Sequence, residues 1–295
     1  MTRSLLCPEA FLSPLEIDAV VTRALAEDLG RAGDITSIAT IPEDMPARAI
    51  VVAREAGVIS GLPLVAAAFQ KLAPDIVIAA SARDGASVAT KAALMTVQGP
   101  ARAVLAAERV ALNLLGRLSG VATATHEFVR RVAGTHTRIC CTRKTTPGLR
   151  ALEKYAVRCG GGFNHRFGLD DAILIKDNHI ALAGDVRTAV ERAKANAGHL
   201  VKIEVEVDTL AQLEQVLAIG VDAVLLDNMT VEQLRQAVAM TGGRAITEAS
   251  GRITAETAKA IAATGVDLIS AGWLTHSSAA LDIGLDYLGL NRQAA

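Results

Sequence analysis

The sequence predicts an α/β protein in two parts: an N-terminal α+β layer, then a parallel α/β barrel that is closed or nearly closed. Three observations carry this reading. First, 51% of the 295 residues are apolar and only 3% aromatic, which suits packed Ala/Val/Leu/Ile layers better than platforms that stack bases. Second, beyond residue 121 short apolar runs alternate with helical patterns, the signature of βα units around a parallel sheet. Third, Gly220, Gly243 and Gly265 precede successive strand-like runs at intervals of 23 and 22, and Gly220-Val221-Asp222 recurs as Gly265-Val266-Asp267.

In chain order, Ser13-Pro14-Leu15-Glu16 opens the first helix with a capping-box pattern, and Gly30 ends it. A polar loop, EDLGRAGDITS, follows. Ala47–Val52 and Gly57–Ser60 read as strands, and Pro63–Leu72 as a helix. Asp75–Ala80 and Ser87–Gln98 read as strands joined by the turn Arg83-Asp84-Gly85. This part lacks regular βα alternation, hence the α+β layer. Pro100 then starts a long helix to Gly120, with Val104, Leu105, Ala111, Leu112, Leu115 and Leu118 on its apolar face. Arg102, Arg109, Asn113 and Arg117 share the other face, which is either solvated or turned into a site.

The barrel strands are expected at Thr135–Thr142, Ala172–Lys176, Val201–Val207, Ala223–Asp227, Arg244–Glu248 and Leu268–Ala271. The helices between them are Leu149–Val157, Val186–Asn196, Leu210–Ala218, Val231–Met240 and Ala255–Ala263. Roughly 155 residues are available, short of the ~250 of a full eight-unit barrel, so six or seven strands or an incomplete barrel is expected. The tail, Asp282–Leu290, is expected to pack back on the first part.

Composition excludes several classes. The net charge is −1, which does not fit a basic nucleic-acid binder. No run of about 18 apolar residues spans a membrane, and the N-terminus carries no secretory pattern. Cys7, Cys140, Cys141 and Cys159 have no zinc-like spacing and read as reduced thiols, which points to the cytoplasm.

Against that neutral background, Cys141–Ile180 concentrates cations and imidazoles: Arg143, Lys144, Arg150, Lys154, Arg158, His165, Arg166, Lys176 and His179. In a βα-barrel, ligands bind at the C-terminal strand ends. Those ends carry Thr142-Arg143-Lys144, Lys176-Asp177-Asn178, Glu206, Asp227-Asn228, Glu248 to Gly251, and Ala271-Gly272. The early ends supply cations for carboxylate or phosphate. Glu206 and Asp227 suit sugar hydroxyls or Mg²⁺. The small residues of Ser250-Gly251 and Ala271-Gly272 let backbone N–H groups approach a phosphate. Competing ion pairs exist: Lys176 with Asp177 or Asp171, and Glu206 with Lys202 or Lys176. His126, His136, His199 and His276 are read as structural, and Glu153, Lys154 and Arg158 as a solvated helix face.

These residues resemble the quinolinate phosphoribosyltransferases, or carboxylating nicotinate-nucleotide pyrophosphorylases. The resemblance rests on TRKTTPGLR from Thr142, Glu153-Lys154-Tyr155, Gly161-Gly162, His165-Arg166 and Lys176-Asp177-Asn178-His179. It continues through Glu204-Val205-Glu206, Leu225-Leu226-Asp227-Asn228, Glu248-Ala249-Ser250-Gly251 and Gly272-Trp273-Leu274-Thr275-His276. In the first part, Glu27-Asp28-Leu29, Gly33-Asp34-Ile35-Thr36, Glu108-Arg109, Asn113-Leu114-Leu115 and Ser119-Gly120 also fit.

The resemblance implies an N-terminal α/β sandwich over 1–120, an incomplete barrel over 121–276, and a tail, 277–295, on the first domain. It implies a cytoplasmic homodimer in which Arg109 enters the neighbouring site. The reaction it implies joins quinolinate to phosphoribosyl pyrophosphate with Mg²⁺, giving nicotinate mononucleotide, pyrophosphate and CO₂ in NAD biosynthesis. By the same token Arg143, Lys144, His165, Arg166 and Lys176 would hold the anions, and Glu206 and Asp227 the ribose and metal. Lys144, Lys176, Glu206 and Asp227 would carry the catalysis. Thr142, Ser250, Gly251, Ala271 and Gly272 would complete the substrate site, with Arg252 and Trp273 departing from the small residues expected there. A related transferase for another base, a Schiff-base aldolase using Lys176 and a phosphosugar sensor are the alternatives. A simple βα count places His165-Arg166 before a strand, at the wrong end of a barrel.

Overall fold

The structure is a computed structural model that describes residues 5–289. The first helix, α1 (Pro14–Leu29), buries Ile17, Val20, Val21 and Leu25 and stops at Gly30. Ser13 Oγ accepts from the N–H of Leu15, without the reciprocal bond expected from Glu16. The supposed polar loop contains a short helix, α2 (Ile35–Thr40), whose N-cap Asp34 accepts from the N–H of Ser37 at 3.0 Å. Six residues with almost no buried face leave no periodicity to detect.

Next come β1 (Pro46–Ala53), β2 (Gly57–Val58), α3 (Leu62–Leu72), β3 (Val77–Ala80), β4 (Ser87–Val88) and β5 (Ala93–Pro100). The single strand expected over Ser87–Gln98 is therefore two. The long helix α4 runs from Ala101 to Arg131, past the expected end at Gly120. Val121, Ala122 and Phe128 are buried and continue its apolar pattern, and neither Gly116 nor Gly120 breaks it. Gly120 has another purpose: a Cβ there would lie 1.9 Å from the carbonyl oxygen of Ala279. Only glycine lets the chain after residue 276 pass this close to the helix.

The barrel follows as β6 (Arg138–Cys140), α5 (Arg150–Cys159), β7 (Ile173–Ile175), α6 (Asp177–Ala183) and α7 (Val186–Asn196). It continues with β8 (Ile203–Val207), α8 (Leu210–Ile219), β9 (Ala223–Asp227), α9 (Val231–Thr241) and β10 (Ile246–Ser250). Last come α10 (Ala255–Ala262), β11 (Leu268–Ser270) and α11 (Trp273–His276), then β12 (Ile283–Tyr287). Capping boxes Thr209/Gln212 and Thr230/Gln233 start α8 and α9 in the same way.

Six parallel strands form one sheet in the order β6-β11-β10-β9-β8-β7. Phe163 adds a one-residue parallel segment beside β6: its N–H donates to Ile139 and its carbonyl accepts from Cys141. The six-stranded sheet ends at β6 and β7, so the barrel is incomplete, as expected.

Two compact units emerge. One comprises residues 5–124, 151–161 and 277–289; the other comprises 125–150 and 162–276. Residues 151–161, expected in the barrel part, belong instead to the first unit, and 290–295 of the expected tail lie outside the described residues. In the first unit, β12 pairs antiparallel with β1 in the sheet β12-β1-β5-β3. The expected solvated face of α5 is a correction: Glu153 and Lys154 are fully buried. Arg117 Nη2 lies 2.7 Å from Glu153 Oε1, and its Nη1 donates to the carbonyl of Ser278 at 2.8 Å. Burying Glu153 required a partner on another element, which helical spacing within α5 does not reveal.

Asp84 is a second buried charge site in this unit. It accepts from the N–H groups of Gly61 and Leu62 and from the hydroxyl of Tyr155 at 2.9 Å. Burial pushes its carboxyl up to about 7, against those hydrogen bonds. The folded state thus keeps a proton that an unfolded aspartate releases near its ordinary pKa. This stabilisation is full below the unfolded value and is lost as pH rises through about 7. The melting temperature is therefore expected to fall between pH 6 and pH 8, and Asp84→Asn to flatten that slope. Scanning calorimetry across this window checks it. Among the described residues, no helix is long and apolar enough to cross a membrane.

Candidate active site

Parallel strands bring their C-terminal ends to one face of the barrel. Thr142, Arg143 and Lys144 follow β6, Lys176 follows β7, and Glu206 lies near the end of β8. Asp227 ends β9, Ser250 ends β10, and Ala271 follows β11. His165 and Arg166 follow Phe163, which resolves the difficulty over their position. The chain makes a one-residue strand before them, so they also leave a strand at its C-terminal end.

A cavity of about 430 Å³ is lined by Thr142, Arg143, Lys144, His165, Arg166 and Lys176. Glu206, Asp227, Glu248 and Ser250 line it as well. A second cavity of about 400 Å³ shares Thr142, Lys144, Asp227, Ser250 and Ser270 with the first. Its own lining includes Gly251, Arg252, Ala271, Gly272 and Trp273, with Asn228 and His276. Arg109 is exposed on α4 and is not among the residues lining either cavity.

The charges are arranged, not scattered. Lys176 Nζ donates to Glu206, not to Asp177 or Asp171, while Lys202 pairs with Asp222 at 2.6 Å. Asp227 Oδ2 accepts from Asn228 Nδ2 at 2.6 Å. His165 Nδ1 accepts from the N–H of Arg166 at 2.8 Å, so Nε2 carries the hydrogen; it points to Glu204 Oε2 at 2.9 Å and lies 3.7 Å from Glu248 Oε1. Burial, with the Arg143 guanidinium next, pushes Arg166 below its ordinary value. Burial and then the Glu204 carboxylate push Glu248 up to about 7, with His165 and the Ser270 hydroxyl opposing. Arg143 Nε, Arg166 Nε and Glu248 Oε1 are buried without a hydrogen-bond partner. Orphaned polar atoms in cavity-lining residues are what a polar ligand would satisfy.

The second cavity is bordered by strained backbone. Gly251 has φ +96, and a Cβ there would meet Asn228 Oδ1 at 2.3 Å and Asn228 N at 2.9 Å. Asn228 and Arg252 themselves take positive φ, 53° and 48°. Trp273, bulky where a small residue was expected, donates Nε1–H to the carbonyl of Ile253 at 3.0 Å and packs on Phe128, so it braces the loop beside the cavity. Thr275 Oγ1 donates to the carbonyl of Lys144 at 2.7 Å, tying the first strand end to the last.

Sequence reasoning named four residues here without giving them a role in the site. Asn228 directly follows Asp227, and His276, read as structural, lies one helical turn beyond Gly272. Glu204 and Glu248 occupy strand interiors, where alternation with Val205 and Ala249 turns them off the apolar side. Their signal was a carboxylate within an otherwise apolar strand. His165, Glu204 and Glu248 also present ligand atoms within 4.8 Å of one another.

A parallel barrel whose strand ends bring cations, carboxylates and a glycine-lined loop to two joined cavities defines an enzyme acting on small polyanions. Comparison with known proteins narrows this. The C-terminal domain of quinolinate phosphoribosyl transferase matches residues 121–286, and the N-terminal domain matches residues 34–119. Nicotinate-nucleotide pyrophosphorylase (carboxylating) of Mycobacterium leprae is 46% identical over 283 residues, covering 93% of this chain and 99% of that protein. Quinolinate phosphoribosyltransferase (decarboxylating) 1b of Nicotiana tabacum is 41% identical over 292 residues, covering 92% and 82%. The solved structure of nicotinate-nucleotide pyrophosphorylase from Francisella tularensis superposes with a TM-score of 0.90 at 39% identity, covering 94% of this chain and 98% of that one. The chain belongs to the quinolinate phosphoribosyltransferase family, the carboxylating nicotinate-nucleotide pyrophosphorylases.

Proposed function

We propose that this site transfers phosphoribosyl from phosphoribosyl pyrophosphate to quinolinate, with loss of CO₂, in NAD biosynthesis. One observation carries the reading: a cation-lined cavity and a loop-lined cavity share Thr142, Lys144, Asp227, Ser250 and Ser270. Quinolinate has two carboxylates, and Arg143 and Arg166 offer unpaired N–H groups to such anions. The 5′-phosphate fits the loops at Ser250-Gly251 and Ala271-Gly272, with Asn228, Arg252, Trp273 and His276 around it. The ribose then lies over the shared residues, where both substrates meet.

Displacing pyrophosphate builds positive charge on the ribose ring and negative charge on the leaving group. Glu206 and Asp227 favour the first, and Lys144 and Lys176 the second. Glu206 and Asp227 present hard oxygen ligands on one cavity, which fits Mg²⁺ held mainly through the diphosphate. When bound, the ion would neutralise charge on the leaving group. Lys176 is engaged with Glu206, which favours an electrostatic role over Schiff-base chemistry. The exposed Arg109 suits a homodimer in which it completes the partner's site. The chain is expected to act in the cytoplasm.

The test is release of pyrophosphate and CO₂ from quinolinate plus phosphoribosyl pyrophosphate, with and without Mg²⁺. Equal amounts of both products, dependent on the ion, are expected. Release of neither rejects the reading, and pyrophosphate release at the same rate with a neutral base in place of quinolinate points to a different substrate.

A further inference from the structure

The transfer proposed above leaves Glu248 without a task. It is 1% exposed and fully inside the barrel wall, yet it lines the cation-lined cavity. Its Oε1 has no hydrogen-bond partner, and His165 Nε2 lies 3.7 Å away. An acceptor left this way inside a protein costs stability unless it carries a proton or meets a ligand. The groups that act on it come from four other segments. Glu204 faces it from β8, Ser270 from β11, His165 from the segment after Phe163, and Cys141 from the end of β6. Arg143 and Arg166 line the same cavity.

We propose that Glu248 is the general acid that supplies the proton replacing the departing carboxylate. This rests on the function proposed above. Once the ring nitrogen is bonded to the ribose, the bond between C2 and its carboxylate breaks and CO₂ leaves. The electron pair stays on C2, where the cationic nitrogen stabilises it. The Glu248 O–H then gives its proton to C2 and becomes a carboxylate. One proton is consumed per turnover, and water entering the cavity returns it to the Glu248 carboxylate once the product has left. Prompt protonation keeps CO₂ from adding back to C2. The raised pKa of Glu248, about 7, is that of an acid matched to neutral pH.

The experiment follows pyrophosphate and CO₂ separately in a single turnover, with the mononucleotides resolved by anion exchange. Glu248→Gln is expected to release pyrophosphate but to lower the rate of CO₂ formation about a hundredfold, so that the dicarboxylate mononucleotide accumulates. Glu204→Gln is expected to give a smaller lag of the same kind. Equal release of both products by Glu248→Gln, at a rate within about twofold of the parent, overturns the proposal, since a general acid contributes far more than that. If Glu248→Gln loses both products, the pH profile of the parent protein decides. CO₂ formation that falls above about pH 7 while pyrophosphate release holds supports Glu248, and parallel profiles overturn it. Failure of the parent protein to release either product would instead reject the function proposed above.

Discussion

Arg143→Ala is expected to lower kcat/KM for quinolinate by about a hundredfold or more, since removing one partner of a buried charge pair costs about 2–5 kcal/mol. Its Nε is buried and without a protein partner, so no protein hydrogen bond at that atom compensates when the ligand contact is lost. Arg166 lies beside it, and removing one guanidinium relieves repulsion on the other, which keeps the loss from being total. Lys176→Ala is expected to act differently. It frees Glu206, adding uncompensated negative charge where a diphosphate must sit. The KM for phosphoribosyl pyrophosphate is therefore expected to rise together with a fall in kcat. Steady-state kinetics on both purified variants check this, and near-normal turnover in both would remove these residues from the site.

The second large effect is on stability. Arg117→Ala withdraws the guanidinium from Glu153, whose side chain is 0% exposed, and from the carbonyl of Ser278. Breaking such a pair costs about 3 kcal/mol. For a chain of 295 residues, with an unfolding entropy of ~2.1 cal/mol/K per residue, that lowers the melting temperature by roughly 5 °C. Arg117→Lys is expected to recover only part, because lysine cannot repeat the fork by which Nε and Nη2 both reach Glu153 Oε1. Thermal melts of both variants measure it. A melting temperature unchanged in Arg117→Ala would show that the pair carries no net stability.

Most of the barrel was legible because its signals are local. The units after β8, β9 and β10 each announce themselves by an apolar run, a threonine N-cap and a glycine before the next strand, and the observed β9 coincides with the expected Ala223–Asp227. The strand-end rule then placed Arg143, Lys144, Lys176, Glu206 and Asp227 on one cavity. What failed was non-local. The one-residue strand at Phe163 exists only because β6 offers its edge, so nothing in the segment itself marks it. Glu153 and Lys154 look solvated by helical spacing, and only the elements packed on α5 make them interior. Glu204 and Glu248 were hidden for a related reason. Facing into a barrel is a property of sheet register, and each had been read as part of a sequence pattern around more exposed neighbours.

The strand β12, set against β1 at the edge of the first unit's sheet, bears on how the chain is made. A growing polypeptide emerges from the ribosome N-terminus first, and domains usually close as they appear. Here the first unit still lacks α5 until residue 161 has emerged, and lacks its edge strand until the chain reaches Tyr287. The barrel strands β7 to β11 are synthesised in between, while the edge of β1 stands open. An unpaired edge held for that long is an invitation to mispairing. Premature termination just before Ile283 is thus expected to yield not a shorter enzyme but an aggregating chain, even though every barrel strand would be present.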